Sequence, residues 1–255
     1  MLGKFSRTEL LLGAAGMERL GKSCVAVFGI GGVGSFVAEA LVRSGVGHLV
    51  LIDDDRVCET NINRQLHATT KTVGRLKTEV MRERLLEINP AAVVDVIADF
   101  YLPEKAQEFF CFPYDYIVDA IDTVTGKIDL VLQAQQRGIP IISSMGAGNK
   151  LHPELFEVAD IYETSVCPLA RVMRRELRQR GVKSLQVVYS REKPLMPGNQ
   201  GCGSECICPP GSPRTCAQRR SVPGSISFVP SAAGLIAAGV VVRGLSTDVL
   251  SGSHK

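Results

Sequence analysis

The feature that most constrains this chain is a glycine pattern in a particular place. Gly29, Gly31 and Gly34 form G-x-G-x-x-G directly after an apolar run at 23–28, ahead of a helical pattern at 34–42. Glycines at these positions, with Gly32 between them, let the backbone wind tightly and approach a bound phosphate. The helix that follows opens with unbonded N–H groups, which favour negative charge. A second apolar run at 48–52 ends in Asp53, placed to accept hydrogen bonds from ribose hydroxyls. A strand, glycine turn, helix, strand and acid in this order imply a nucleotide-binding parallel sheet.

The rest of the first 150 residues keeps that rhythm. Runs at 93–97, 114–119 and 140–143 read as further strands. Helical patterns fit between the strands at 74–88, 104–110 and 125–137, the first of these three stopped by Asn89-Pro90. Beyond Gly148 the alternation loosens, with strands expected at 155–159 and 185–189 and a helix at 168–180 opened by Pro168. Residues 191–224 are rich in Pro, Gly, Ser and Cys and read as a loop, and an apolar helix follows Pro230. The expectation is an α/β, Rossmann-like, mostly parallel sheet with flanking helices, extended by a few strands in the C-terminal half. It is one domain over residues 1–250, with 191–224 a cysteine-rich insertion.

Composition narrows the setting. A net charge of +3 on 255 residues gives no general affinity for nucleic acid, so a basic patch must be local. The apolar stretch 226–242 is interrupted by Pro230 and falls short of a membrane span, which needs about 20 residues, so it reads as a buried helix and not as a membrane anchor. Eight cysteines without a secretory leader point to reduced thiols in the cytoplasm. The histidines His48, His67, His152 and His254 have no partners at ligand spacing and receive no role.

The segment after Asp53 decides which nucleotide is expected. It runs Asp53-Asp54-Asp55, then Asn61, Asn63, Arg64 and Gln65, with Lys77 on the next helix and Asp122 after the fourth strand. A nicotinamide needs an apolar slot, whereas a triphosphate needs cations and an acid for Mg²⁺, and this chain supplies both. In order and spacing these residues resemble the ubiquitin-activating-type adenylating enzymes, the group that includes MoeB and ThiF. The resemblance implies that Asp53 binds ribose, Arg64 and Lys77 hold the triphosphate of ATP, and Asp122 positions Mg²⁺. It places Gly29, Gly31, Gly32, Gly34, Asp55, Asn61 and Gln65 around the nucleotide. It also implies a homodimer in which Arg7 reaches the γ-phosphate of the neighbouring subunit, although a solvated arginine explains Arg7 equally well. The chemistry so implied is attack of a carboxylate on the α-phosphate, giving an acyl adenylate without a nucleophilic side chain.

Stretches 28–40, 52–67, 80–90, 119–123 and 168–180 are closer to the branch of that family that dehydrates threonylcarbamoyladenosine in tRNA than to MoeB or ThiF. That branch adenylates the threonyl carboxylate, after which the carbamoyl group of the same base closes a ring. The modified tRNA is then the substrate, and a sulfur-transfer or cysteine-desulfurase partner is a further expectation. On a 168–180 helix, Arg171, Arg174, Arg175 and Arg178 share one face and suit RNA phosphates, against the alternative of a solvated face. The competing function is adenylation of a ubiquitin-like sulfur carrier, which shares the ATP site. A nucleotide module without catalysis, or a nicotinamide-dependent oxidoreductase, is disfavoured by Arg64, Lys77 and Asp122 together.

The sequence departs from the branch at Cys167, where relatives typically carry an aspartate. The residue is read as a small buried side chain, with a reactive thiol the alternative. Stretch 224–234 has no cysteine, so no thioester step is expected. Cys202, Cys206, Cys208 and Cys216 suit zinc or an iron–sulfur cluster, but their spacing is not two C-x-x-C pairs, and free thiols remain the other reading. Gly146 and Gly148 either admit substrate to the backbone or mark a tight turn.

Overall fold

Among the described residues, seven strands build one sheet in the order β3-β2-β1-β4-β5-β7-β6. The strands are β1 (Cys24–Phe28), β2 (His48–Ile52), β3 (Val93–Ile97), β4 (Tyr116–Asp119), β5 (Ile141–Ser144), β6 (Phe156–Asp160) and β7 (Gln186–Ser190). This computed structural model describes residues 3–196 and 223–250, with side chains to 246 in the last helix. Cys202, Cys206, Cys208 and Cys216 lie outside the described residues. All strand pairs are parallel except β6, which runs antiparallel to β7 at one edge. The sheet is thus the expected Rossmann-like α/β form with additional strands from the C-terminal half.

Helices cover both faces: α1 (Ser6–Lys22), α2 (Gly34–Arg43), α3 (Lys77–Ile88), α4 (Ala106–Phe109), α5 (Val124–Arg137), α6 (Pro168–Gln179) and α7 (Phe228–Leu250). Alternation along β1 shows how the two cores divide. Val25 and Val27 pack with residues of α1, α2, α3 and α7, whereas Ala26 and Phe28 pack with Phe109, Leu130 and Ala134 of α4 and α5. A third cluster joins Met173 and Leu177 of α6 to Val187 and Tyr189 of β7.

Most other boundaries shift by one or two residues from the sequence reading, and three helices depart from it for identifiable physical reasons. Helix α3 begins at Lys77 instead of 74, because Gly74 N–H donates to the Val57 carbonyl (2.8 Å), Val57 N–H to the Arg75 carbonyl (2.8 Å), and Leu76 bridges to Arg56. Pairing that backbone with 56–57 takes it out of the helix. The 104–110 helix is a 3₁₀ turn at Pro103–Lys105 followed by one helical turn, α4. The final helix begins two residues before Pro230. A proline in the first helical turn lacks an N–H that would have had no acceptor there. Its residues Val229, Ala233, Ala237, Ala238 and Val241 are buried in the main core against α1 and α2. Helix α1 itself was not expected. Gly13 breaks it with φ 72° and ψ 167°, and Leu10 and Leu11 on it face solvent.

Candidate nucleotide site

The glycine turn lies at the carboxyl end of β1, where the chain connections diverge to β2 on one side and β4 on the other, the switch point at which open α/β sheets bind ligands. Gly29 has φ +87°, and a Cβ there would stand 2.7 Å from the Ala120 carbonyl oxygen. A Cβ on Gly34 would stand 1.8 Å from the Gly29 carbonyl oxygen. Only glycine fits either place. Ser35 N–H closes the turn onto the Gly31 carbonyl (3.1 Å), while the N–H groups of Gly31, Gly32 and Val33 make no hydrogen bond among the described residues. These are donors waiting for an anion at the start of α2.

Asp53 is aimed into this turn. Its Oδ2 accepts the Ile30 N–H at 2.6 Å and its Oδ1 accepts the Asp55 N–H at 2.8 Å. Lys77 is buried with its Nζ 2.7 Å from Asp55 Oδ2 and 3.9 Å from Asp53 Oδ1. Burial alone would lower this ammonium, but the two carboxylates overcome it and raise its pKa, so the lysine stays charged. Half-buried Arg64 donates from Nη1 to the Thr60 carbonyl (2.8 Å) and to Asn63 Oδ1 (2.9 Å). Asn61 is spent on the turn itself, its Oδ1 accepting the Cys58 N–H at 3.0 Å. Gln65 is buried, its Oε1 has no partner among the described residues, and its Nε2 lies 3.9 Å from where a Gly31 Cβ would be.

On the other side of the turn, exposed Asp122 sits between β4 and α5, next to Thr123, whose buried hydroxyl has no partner among the described residues. Two features here were not foreseen. Asp119 and Lys127 form a fully buried ion pair of 3.0 Å, with the Ser143 hydroxyl donating to Asp119 at 2.5 Å. His67 is buried, and both its ring nitrogens lack a partner among the described residues. Burial, then the nearby Lys77 and Arg84, push its imidazole down to about 3, so it is neutral at ordinary pH. A lysine within a helical pattern and an isolated histidine give no signal in a sequence that would reveal such burial.

The arginine face of α6 is less free than its spacing implies. Arg174 folds back, donating to the Thr164 carbonyl at 2.8 Å and to the Thr164 hydroxyl. Arg178 stacks over the Tyr162 ring at 5.2 Å, and Arg175 pairs with Glu176 at 2.8 Å. Arg171 is exposed. Cys167 is buried at the start of α6, as a small interior side chain. A Cβ on Gly148 would meet Pro223 at 2.8 Å, so this glycine serves close packing of the chain, not substrate entry. Arg7 is exposed on the first turn of α1 and is not joined to the other site residues.

Unbonded N–H groups at a helix start, two cations, a carboxylate facing the turn and orphaned polar atoms on Gln65 and Thr123 together fit a nucleoside triphosphate. Comparison with known proteins agrees. The tRNA threonylcarbamoyladenosine dehydratase of Bacillus subtilis (strain 168) is 45% identical over 251 residues, covering 98% of this chain and 97% of that protein. A sulfur carrier protein adenylyltransferase of Thermus thermophilus is 38% identical over 123 residues, covering 48% of this chain and 45% of that protein. The crystal structure of E. coli tRNA N6-threonylcarbamoyladenosine dehydratase in complex with ATP matches with a TM-score of 0.84 and 31% identity, over 98% of this chain and 96% of that one. The ThiF family model matches residues 5–253, nearly the entire length, and on that extent the chain belongs to the ThiF family.

Proposed function

We propose that this protein is an ATP-dependent tRNA threonylcarbamoyladenosine dehydratase. The observation that carries the reading is the span of the similarity: it runs the full length of a dehydratase but only about half of the sulfur-carrier adenylyltransferase. The nucleotide site supplies the chemistry that a dehydration by adenylation requires.

In this reading the N–H groups of Gly31, Gly32 and Val33 cradle phosphate oxygens, and Asp53 accepts hydrogen bonds from the ribose. Arg64 and Lys77 hold the triphosphate, with Gln65 beside the turn, and Asp122 holds Mg²⁺. The metal, when bound, offsets charge on the departing pyrophosphate. An oxygen of the threonyl carboxylate bonds to the α-phosphorus as the bond to pyrophosphate breaks, which gives an acyl adenylate. The carbamoyl group of the same nucleoside then attacks the acyl carbon and expels AMP. The oxygen lost as water leaves on AMP, so no hydrolytic water is needed.

The wider assignments follow from the same reading. The chain acts as one domain, in the cytoplasm with its tRNA. Arg171 and Arg175 on α6 meet RNA phosphates, while Arg174, tied to Thr164, and Arg178, over the Tyr162 ring, shape that face. A homodimer brings Arg7 to the neighbour's triphosphate, supported by Leu10 and Leu11, which are 86% and 77% exposed one turn further along α1.

The test is nucleoside mass analysis of threonylcarbamoylated tRNA after incubation with the protein and Mg-ATP, with AMP measured in parallel. Loss of one water, dependent on ATP and matched by AMP, is expected. An unchanged nucleoside, together with AMP formed only when a ubiquitin-like carrier is offered, would replace this reading by carrier activation.

A further inference from the structure

We infer that Lys127 is a positioning residue which, through Asp119 and Ser143, fixes the turn that presents Asp122. The inference rests on the reading above, in which Asp122 holds the metal that accompanies the nucleotide.

Lys127 is 1% exposed, and its ammonium has three acceptors: Asp119 Oδ1 at 3.0 Å, the Ser144 carbonyl at 2.8 Å and Ser143 Oγ at 3.3 Å. Asp119 is fully buried, and besides the lysine it takes the Ser143 hydroxyl and, at 3.3 Å, the Ile121 N–H. The network is complete on both sides, as a buried charge pair must be. It ties the ends of β4 and β5 to the first turns of α5. Between those ends the chain passes through Ala120, Ile121, Asp122 and Thr123.

That segment contains no glycine or proline, so local preference does not set its shape. Its neighbours do. Ala120 is held so near Gly29 that a Cβ there would stand 2.7 Å from its carbonyl oxygen. Gly126 leaves room for Ile121 and Thr123, which a Cβ would meet at 2.8 Å each. Asp119 anchors the beginning of the segment and Lys127 the helix that ends it. Asp122 is exposed, and its direction is set by this frame. A buried ion pair is a poor source of stability, since apolar replacements of similar volume often do as well. Fixing the geometry of a charged ligand at the mouth of the site is the task that this pair performs better than apolar packing.

Calorimetric titration of a non-hydrolysable ATP analogue, with Mg²⁺ and with chelator, separates this role from a structural one. Ser143→Ala removes one hydrogen bond to Asp119 and leaves the ion pair. Lys127→Met removes the charge, and if that variant does not fold, Ser143→Ala decides. Asp122→Asn is the reference. The expectation is that Ser143→Ala loses at least about fivefold of the affinity gained from Mg²⁺, with metal-free affinity kept within about twofold. AMP formation should show the same loss, recovered in part at high Mg²⁺. Loss of both affinities together, or no change in either, overturns the inference. If wild type and Asp122→Asn gain equally from Mg²⁺, the metal assignment of Asp122 itself fails. If those two differ while Ser143→Ala behaves as wild type, the positioning role alone fails.

Discussion

Replacing Gly34 by alanine puts the glycine turn under a strain that the structure allows to be sized. The added methyl would stand 1.8 Å from the Gly29 carbonyl oxygen and 3.0 Å from its carbon, and both are backbone atoms. To reach ordinary contact, the turn and the start of α2 must separate by about 1.5 Å, in an interior packed as closely as an organic crystal. Overpacking of this kind costs about 1–3 kcal/mol. In a domain of this length each kcal/mol lowers the melting temperature by roughly 2–4 °C, so a fall of about 2–12 °C is expected. The upper half of that range applies, because backbone cannot rotate away as a side chain can. The same displacement moves the N–H groups of Gly31, Gly32 and Val33, which the proposed reading sets against phosphate oxygens. A shift of about 1 Å in groups that position a reacting centre lowers rate about 100-fold. Thermal unfolding and AMP formation from modified tRNA are the assays. A variant that melts within about 1 °C of wild type and turns over normally would show that the turn is not as tightly wound as described.

Three other perturbations test separate parts of the molecule. Asp122→Ala should abolish AMP formation while leaving the melting temperature nearly unchanged, because the side chain is exposed; normal turnover would remove Asp122 from the site. His67 titrates near 3 when folded, below its ordinary value of 6.5. Below pH 6.5 the unfolded chain therefore takes up a proton that the folded chain refuses, and stability falls with pH. The loss is about 2 kcal/mol by pH 5. His67→Leu should flatten that part of a denaturation-against-pH profile, and an unchanged slope would refute the assignment. Arg171→Ala should weaken tRNA binding and lower the salt dependence of log K by about one ion, whereas Arg174→Ala should act mainly on stability through its bonds to Thr164. Equal salt slopes for wild type and Arg171→Ala would remove Arg171 from the RNA interface.

The central sheet was legible because its strands are short apolar runs punctuated by glycine and acid: 48–52 and 93–97 are strands to the residue. Helix α6 was equally plain, with Pro168 at its start and leucine and methionine on one side. Helix α1 was not, because Gly13, Gly16 and Gly21 dilute its pattern and Leu10 and Leu11 point outward, against the usual rule. At the site, Asp53 and the glycines could be read from motif spacing and Arg64, Gln65 and Lys77 from the family resemblance, and the structure gathers them around one turn. Lys127, Asp119 and Ser143 meet only because β4 and β5 lie side by side, a relation between residues 16 and 24 positions apart that no local pattern encodes. The arginines of α6 share a face by periodicity, but Thr164 and Tyr162 claim two of them from outside the helix.

The packing of α7 has a consequence for the order in which the molecule becomes active during synthesis. A Cβ on Gly234 would meet the Val33 carbonyl at 2.5 Å, and one on Gly32 would meet Pro230 at 3.2 Å. The wall behind the glycine turn is therefore supplied by a helix that leaves the ribosome well after the turn itself. Until they arrive, α2 has an uncovered apolar flank, with Val37, Ala38 and Leu41 waiting for Val229, Ala233 and Ala237. A nascent chain that already carries every residue proposed to contact the nucleotide still lacks the support that shapes the glycine turn. Shaping of that turn is thus deferred until α7 has emerged, and a ribosome that stalls before residue 228 leaves the apolar flank of α2 uncovered.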